Sequence, residues 1–530
     1  MAQALTARDH EQLHQHGVSI AEAERQLAVL RDPPAPLRLI RPCSLGSGVR
    51  QLLDSERDAA LAAYESARAS GRFTKFVPAS GAASRMFNTL QPWLETGTPN
   101  IASRASAEDH AAADDARQLV ANVQRFAFRD ALASAFERHG QTLEDVVQRA
   151  DAGALIRMLL SSQGLHYGRL PKGLLPFHRY GDEVRTAFEE HLVEAAAYAA
   201  AACGACRLHF TVSPQHRSRF EELSDRVRAH YESRFGVRYE LSWSSQKPST
   251  DTLAVDLDGI PFRTADGRLL LRPGGHGALL QNLIDLRADI VLIKNIDNVS
   301  VEDYLGETVL WKRLLAGHLC EMQRRVFEHL RPLRRAAPDA DAVESAYLFV
   351  RDVLRLEVST ETLPHQPAER AASLRSILER PIRVCGMVPN TGEPGGGPVW
   401  IRDPNGGVSA QIVERAQIDP RSDEQQRLFD ALTHFSPVDF ACAVRDVDGQ
   451  PFDLNAFVDP RAAIIVDKTH AGRPLRALEH PGLWNGGMAR WLTFFVEVPL
   501  STFNPVKTFA DLLRPAHQGG DSRPRHTPRP

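Results

Sequence analysis

The chain has 530 residues, which excludes a single small module and leaves room for two to four domains of ordinary size, about 100–200 residues each. With 43% hydrophobic and 24% charged residues it has the makeup of a globular protein with a large core, not of a mostly disordered chain. Its 66 acidic and 63 basic side chains nearly cancel, so no global field draws it to nucleic acid or anionic lipid, and recognition must be local.

The first residues, Met1 to His10, already carry Arg8 and Asp9 and lack the apolar core of a leader, and no stretch of 18 residues is both apolar and uncharged. A cytoplasmic protein without a membrane partner is the expectation. Six cysteines in so long a chain do not suggest a disulfide framework, and the single CxxC pair, Cys203 and Cys206, ends an alanine-rich run with no second pair beside it. Small buried thiols fit better than zinc there. Only seven basic residues are lysine, against 56 arginines, so each surviving lysine is a candidate for a site that needs a compact point charge.

In chain order, residues 1–66 read as a helical N-terminal extension: Ile20, Ala23, Leu27 and Leu30 recur at helix spacing, Pro33 and Pro34 interrupt, and a second helical run follows from Val49. At Phe73 the pattern changes to a strand, then a turn of small residues, then a helix starting near Arg85, which opens an α/β domain expected over 67–514. Residues from about 100 to 165 read as a helical insertion in it. Strands are expected at Arg207–Val212, Tyr239–Trp243, Ile290–Asn295, Arg383–Val388, Ile464–Val466 and Thr493–Val498, with helices at Val184–Ala202 and Pro214–Phe235 between them. That alternation implies a mainly parallel sheet covered on both faces. Leu333–Ala342 and the glycine- and proline-rich Thr391–Gly407 read as loops, and 515–530 as a disordered tail.

Four motifs carry chemistry. Ala79-Ser80-Gly81-Ala82-Ala83-Ser84-Arg85 lies between strand and helix, where small side chains, free amides and the Arg85 fork make an anion cradle; a tight packing turn is the competing reading. It matches neither the Walker pattern nor GxGxxG. Lys172 sits between Pro171 and Pro176, whose fixed φ lowers the entropy of holding an ammonium at one point; otherwise it is a solvated loop lysine. Gln246, then Gly274-Gly275-His276-Gly277, mark backbone passing close to something flat or charged, a loop lining a nucleotide, with a plain glycine turn as the competing reading. Asp289 to Val299 is an apolar strand ending in Lys294-Asn295-Ile296-Asp297-Asn298, and a carboxylate beyond a strand's carboxyl end either holds magnesium against phosphates or caps the next helix. Further lysines stand at Lys468, after a strand, and Lys507, after Pro505, so six of the seven fall in or beside these segments.

In this order the motifs resemble those of the nucleotide-sugar pyrophosphorylases of the UDP-glucose type. Residues 79–86 resemble their Ala-Gly-Gly-x-Gly-Thr-Arg-Met loop, with Ser80 and Ala83 at two of its glycines and Gly81 at the third. Pro171-Lys172, Gln246-x-Pro248, Gly275-His276-Gly277 (followed by Ala278 where the family has Asp), Asn295-x-Asp297-Asn298 and Pro505-Val506-Lys507-Thr508 with Asp511-Leu512-Leu513 resemble the others. The whole chain resembles more closely a bacterial family called domain of unknown function 4301, with which it shares Phe76-Val77-Pro78-Ala79-Ser80-Gly81-Ala82-Ala83-Ser84-Arg85-Met86-Phe87.

The resemblance implies a glycosyltransferase-A-like nucleotidyltransferase core. It implies that Arg85, Lys172 and Lys507 act on the phosphates, that Ala79, Ser80, Gly81, Gln246, Gly275, His276 and Gly277 hold the nucleotide, that Asn298 and Glu414 hold the sugar, and that Asp297 holds Mg2+. The implied partners are a nucleoside triphosphate and a sugar 1-phosphate. The alternatives are a catalytically silent nucleotide- or nucleotide-sugar-binding protein and, third, a glycosyltransferase using Asp256-Leu257-Asp258.

Overall fold

The computed structural model describes residues 5–96, 107–356, 364, 366–393, 395–403 and 406–519. The fold is mixed α/β, and it divides into two compact units, each built from three pieces of chain.

The first unit comprises Met1–Thr74, Ser244–Ile293 and Arg313–Leu500. Its main sheet runs, in spatial order, Ser44–Leu45, Gly48–Arg50, Leu492–Glu497, Ile382–Pro389 and His434–Ala443, with Ile290–Lys294 next. Ser44–Leu45 with Gly48–Arg50, Gly48–Arg50 with Leu492–Glu497 and Leu492–Glu497 with Ile382–Pro389 pair in parallel, and Ile382–Pro389 pairs antiparallel with His434–Ala443. Strands in such a sheet are apolar on both faces, and all ten residues of His434–Ala443 are buried. The helix Asp54–Ala69 meets the later part of the long helix Leu305–Leu333 at Gly317, where a Cβ would stand 1.8 Å from the Ala60 carbonyl oxygen.

The N-terminal extension is not only helical. Ala7–His16 and Ile20–Arg31 are helices, capped by Thr6 and Ser19, but Arg38–Pro42 and Gly48–Arg50 are strands, and the latter is part of the main sheet. Leu13, Leu27 and Leu30 pack on Leu253, Val255 and Leu478 of a four-stranded sheet, so this segment is integral to the unit's core. The predicted strand at Ile464–Val466 belongs to that smaller antiparallel sheet, as half of the hairpin Ile464–His470 with Arg473–Glu479. The expected loop Thr391–Gly407 contains the buried strand Gly397–Arg402, paired with Arg38–Pro42 and Val408–Val413. Gly397 is there because a Cβ would meet the His434 carbonyl oxygen at 2.5 Å.

The second unit comprises Lys75–Trp243, Lys294–Lys312 and Ser501–Pro530. Strand Phe73–Pro78, which enters it at Lys75, runs parallel to Ala205–Thr211, and Arg238–Ser244 lies next in order. The helix Ala187–Tyr198 is almost wholly inside, ten of its twelve residues being buried, and Phe188 packs with Phe210, Phe220 and Trp243. The described part of the expected insertion is helical, at Ala107–Asn122, Arg129–Glu137, Leu143–Gln148 and Ala152–Leu160; residues 100–106 lie outside the described residues. The expected tail is folded at its start: Pro515–His517 form a turn in which Ala516 and His517 are buried, with His517 Nδ1 2.9 Å from His178 Nε2, and 520–530 lie outside the described residues.

Candidate functional site

Three of the four motifs and the Lys507 segment meet in the second unit. Strand Phe73–Pro78 is buried through Val77, and its chain leaves through Ala79, whose amide donates to the Thr211 carbonyl at 2.8 Å. The following small residues do not float. Gly81 O accepts from Lys172 N at 3.1 Å, Ala83 N donates to Leu170 O at 2.9 Å, and Ala82 bridges Pro171 in antiparallel fashion. Two segments some ninety positions apart are thereby stitched into one short ribbon. The helix expected after them is a 3-10 helix, Ala83–Leu90, broken in geometry at Phe87, and Ser80, Gly81 and Arg85 face solvent. Gly81 has open space around its Cβ direction and an ordinary φ, so a packing turn does not require glycine there.

Pro171, at φ −70°, leads into the turn Lys172–Leu174, and Gly173 is pressed against Phe220, where a Cβ would stand 2.8 Å from the ring. A Gly173→Ala substitution is therefore expected to cost about 1–3 kcal/mol through overpacking and to displace the neighbouring Lys172, measurable as a lower urea midpoint. The Lys172 side chain is only 10% exposed, and its ammonium donates to Asp297 Oδ2 at 2.7 Å and to the Val506 carbonyl at 2.6 Å.

Asp297 follows the strand Ile290–Lys294 by three residues, and its carbonyl oxygen accepts from Val506 N at 3.0 Å. Asn298 bridges Pro505 and accepts at Oδ1 from Asn504 N at 2.9 Å. Two residues after Pro505, Lys507 points outward, with no ion pair among the described residues, while Asp511 Oδ2 accepts from its amide at 2.8 Å and from that of Thr508 at 2.7 Å. Phe509 anchors this segment between Phe87 and Phe126, at ring separations of 6.2 and 5.9 Å. The 79–85 loop, Lys172, Asp297, Asn298 and the 505–511 segment thus share one site, with Lys172 as its hub.

No group of three or more His, Cys, Asp or Glu able to hold a metal occurs among the described residues. Asp297 offers a single hard carboxylate, one of whose oxygens already accepts from Lys172. That fits a magnesium ion which arrives with phosphate ligands and keeps water, and it does not fit a protein-only cage.

The remaining predicted residues lie in the first unit. His276 stacks on Trp484 at 4.2 Å, and its Nδ1 accepts from Leu483 N at 3.2 Å, which places the proton on Nε2. Burial lowers its pKa to about 4, so it is a neutral donor at physiological pH. That Nε2 lies 3.7 Å from Glu414 Oε1, too far for a hydrogen bond; burial, aided by Glu479, raises the Glu414 pKa. The glycines of this loop answer to the chain itself. A Cβ on Gly277 would lie 2.2 Å from the Pro481 carbonyl oxygen, one on Gly274 2.4 Å from the His480 ring, and Gly275 has φ +76°. The side-chain amide nitrogen of Gln246 is buried without a partner. Lys247 pairs with Asp285 at 2.5 Å and Lys468 with Glu479 at 3.0 Å on the antiparallel hairpin, so neither joins the Lys172 site. Asp256-Leu257-Asp258 is a turn in which Asp256 Oδ1 accepts from the amides of residues 258 and 260.

Sequence reasoning missed a buried charge cluster in the second unit. Glu194 accepts from Lys294 at 2.6 Å, from Lys75 at 3.0 Å and from the Tyr198 hydroxyl at 3.0 Å, all four side chains being essentially inaccessible. Burial, reinforced by Lys294 and opposed by Glu194, lowers the Lys75 pKa to about 8. Burial pushes the Glu194 carboxyl up, but Lys294 and Lys75 pull it further down, well below the usual carboxylate range. Lys75 lies four residues before Ala79 and Lys294 three before Asp297, so one carboxylate ties together the strands that deliver both arms of the site. The available signal was a lysine inside each of two otherwise apolar strands.

An α/β chain with a lysine-centred site beyond its strand ends is the class that fold and site define. This chain belongs to the family described as Domain of unknown function (DUF4301), whose model matches residues 6–518. No curated protein matches it. Among solved structures it is similar to a uridine diphosphate N-acetylglucosamine pyrophosphorylase from Trypanosoma brucei, at 12% identity over 93% of this chain and 74% of that one, TM-score 0.42. It is likewise similar to a UDP-glucose pyrophosphorylase from Leishmania major solved with UDP-glucose, at 12% identity over 96% and 79%, TM-score 0.42. At that distance the likeness gives no residue a role. No helix among the described residues is long and apolar enough to cross a membrane.

Proposed function

We propose that the protein is a nucleotidyltransferase that joins a nucleoside triphosphate to a sugar 1-phosphate and releases pyrophosphate. The observation that supports this reading is the convergence of the 79–85 loop, Lys172, Asp297 and the Lys507 segment on one site. The attacking phosphate is mostly dianionic at neutral pH, its second pKa being about 6, so no side-chain base is needed. The difficulty is to bring two anions together in line, and cations and backbone amides fixed in advance do this without reorganising.

In this reading Lys172 takes the phosphate oxygens nearest the reacting phosphorus, held in place by Val506 O and Asp297. Arg85 and Lys507, exposed and without ion-pair partners among the described residues, are free to close on the remaining phosphates. Ser80 and Gly81 offer backbone along the triphosphate, and Asn298, fixed by its bond from Asn504, faces the sugar. Asp297 would hold a magnesium ion, which supplies charge neutralisation at the phosphates when bound.

The test is a pyrophosphate-release screen of nucleoside triphosphates against sugar 1-phosphates with magnesium, run beside Asp297→Ala. Release that depends on both substrates and is lost in the variant is expected. Tight nucleotide binding by calorimetry without release from any pair would instead identify a silent nucleotide-binding protein.

A further inference from the structure

The first unit holds a pocket of about 100 Å³ that the proposed reaction does not use. Three arginines line it, Arg50, Arg355 and Arg380, together with Trp400, Trp491 and Gln411, and among the described residues no Asp or Glu is part of its walls. Among the described residues each guanidinium donates to a carbonyl oxygen, Arg50 to Val353 at 3.2 Å, Arg355 to Gly46 at 3.3 Å and Arg380 to Ser376 at 3.1 Å, and Arg50 also lies over the Phe494 ring at 5.7 Å. A carbonyl orients an arginine without neutralising it. None of the three has an ion pair among the described residues.

The charge accumulates further. Burial, opposed by Glu56 and reinforced by Arg355 and Arg325, lowers the Arg50 pKa, and burial with Arg490 lowers that of Arg380. Arg383, fully buried, donates to the Thr493 hydroxyl at 2.8 Å, and Thr493 is itself a wall of the pocket; the second terminal nitrogen of Arg383 has no partner. Two more polar atoms are buried and unpartnered on the walls, the Trp491 indole nitrogen and Gln411 Oε1. A folded protein rarely leaves so many like charges and a lone donor together unless something completes them.

We propose that this pocket is a binding site for a small phosphate-bearing molecule with an attached planar ring, separate from the Lys172 site. Guanidinium forks match phosphate oxygens in pairs, and the Trp491 N–H adds a neutral donor. Trp400 and Trp491 present ring surface for the planar part. The site lies in a different unit from Lys172 and does not depend on the nucleotidyltransferase reading.

Calorimetric titration of the full chain with phenyl phosphate, without added metal, tests it. Binding is expected to persist in a Lys172→Ala/Lys507→Ala background, to weaken at least tenfold with Arg50→Ala or Arg380→Ala, and to survive in part with Arg380→Lys. Arg355→Ala, at an exposed position, gives the same readout should the half-buried arginines prove necessary for folding. Phenol is expected not to bind. Loss of binding in the lysine background, equal binding of phenol, or unchanged affinity in arginine variants with normal melting would overturn the proposal.

Discussion

Replacing Lys172 by alanine is expected to lower turnover by about 100- to 1,000-fold, the usual consequence of removing one preorganised donor from a developing charge. The magnitude follows from position. The ammonium is nearly enclosed, bound at once to Asp297 and to Val506 O, and the loop carrying it is stitched by its own amide to Gly81. Arginine is not expected to restore the rate, because the planar fork cannot occupy a hole shaped for a tetrahedral ammonium that donates to a carbonyl and a carboxylate at once. Most of the loss is expected in kcat, with a smaller change in KM, if the charge acts chiefly when the phosphorus is attacked. Unchanged kcat in a variant with a normal Tm would remove Lys172 from the chemistry.

The largest loss of stability is expected from Glu194→Gln, at about 3–5 kcal/mol near pH 7, because it leaves the Lys75 and Lys294 ammoniums buried without a counter-charge. The sign of the pH dependence follows from the depressed carboxyl. Its stabilisation is present above the unfolded value of about 4.5 and fades as pH falls below it, since the native state resists the proton that the unfolded chain accepts. Urea midpoints of wild type and variant should lie furthest apart at neutral pH and draw together on acidification. A gap that stays constant from pH 7 to pH 3 would show that the carboxylate charge is not what the cluster uses.

Much of the site was legible because its signals are local. Prolines around Lys172, small residues after the strand ending at Pro78 and the abrupt polarity after Lys294 each report a backbone that stops packing and starts presenting groups. What was illegible is what approaches from elsewhere. Gly275 and Gly277 announce close contact correctly, yet their partner is the His480–Pro481 segment, which no spacing near residue 276 encodes. Glu194 sits in an alanine-rich helix whose burial on every side only the neighbouring strands reveal. The strands near the N-terminus were overlooked because Arg38–Pro42 and Gly48–Arg50 are three to five residues long and carry arginine, proline and glycine, so pairing, not propensity, makes them strands.

The anchoring of Phe509 between Phe87 and Phe126 also has a bearing on biosynthesis. Residues 501–519 emerge from the ribosome after all other parts of the second unit, yet they supply the carbonyl that positions Lys172 and the ring that seats beside the first loop. During translation, therefore, the nascent unit carries an open aromatic slot and an ammonium lacking one of its two acceptors until residues 501–519 dock. The second unit is thus complete only once residues 501–519 have docked, and until then its open rings are a surface that a chaperone can hold.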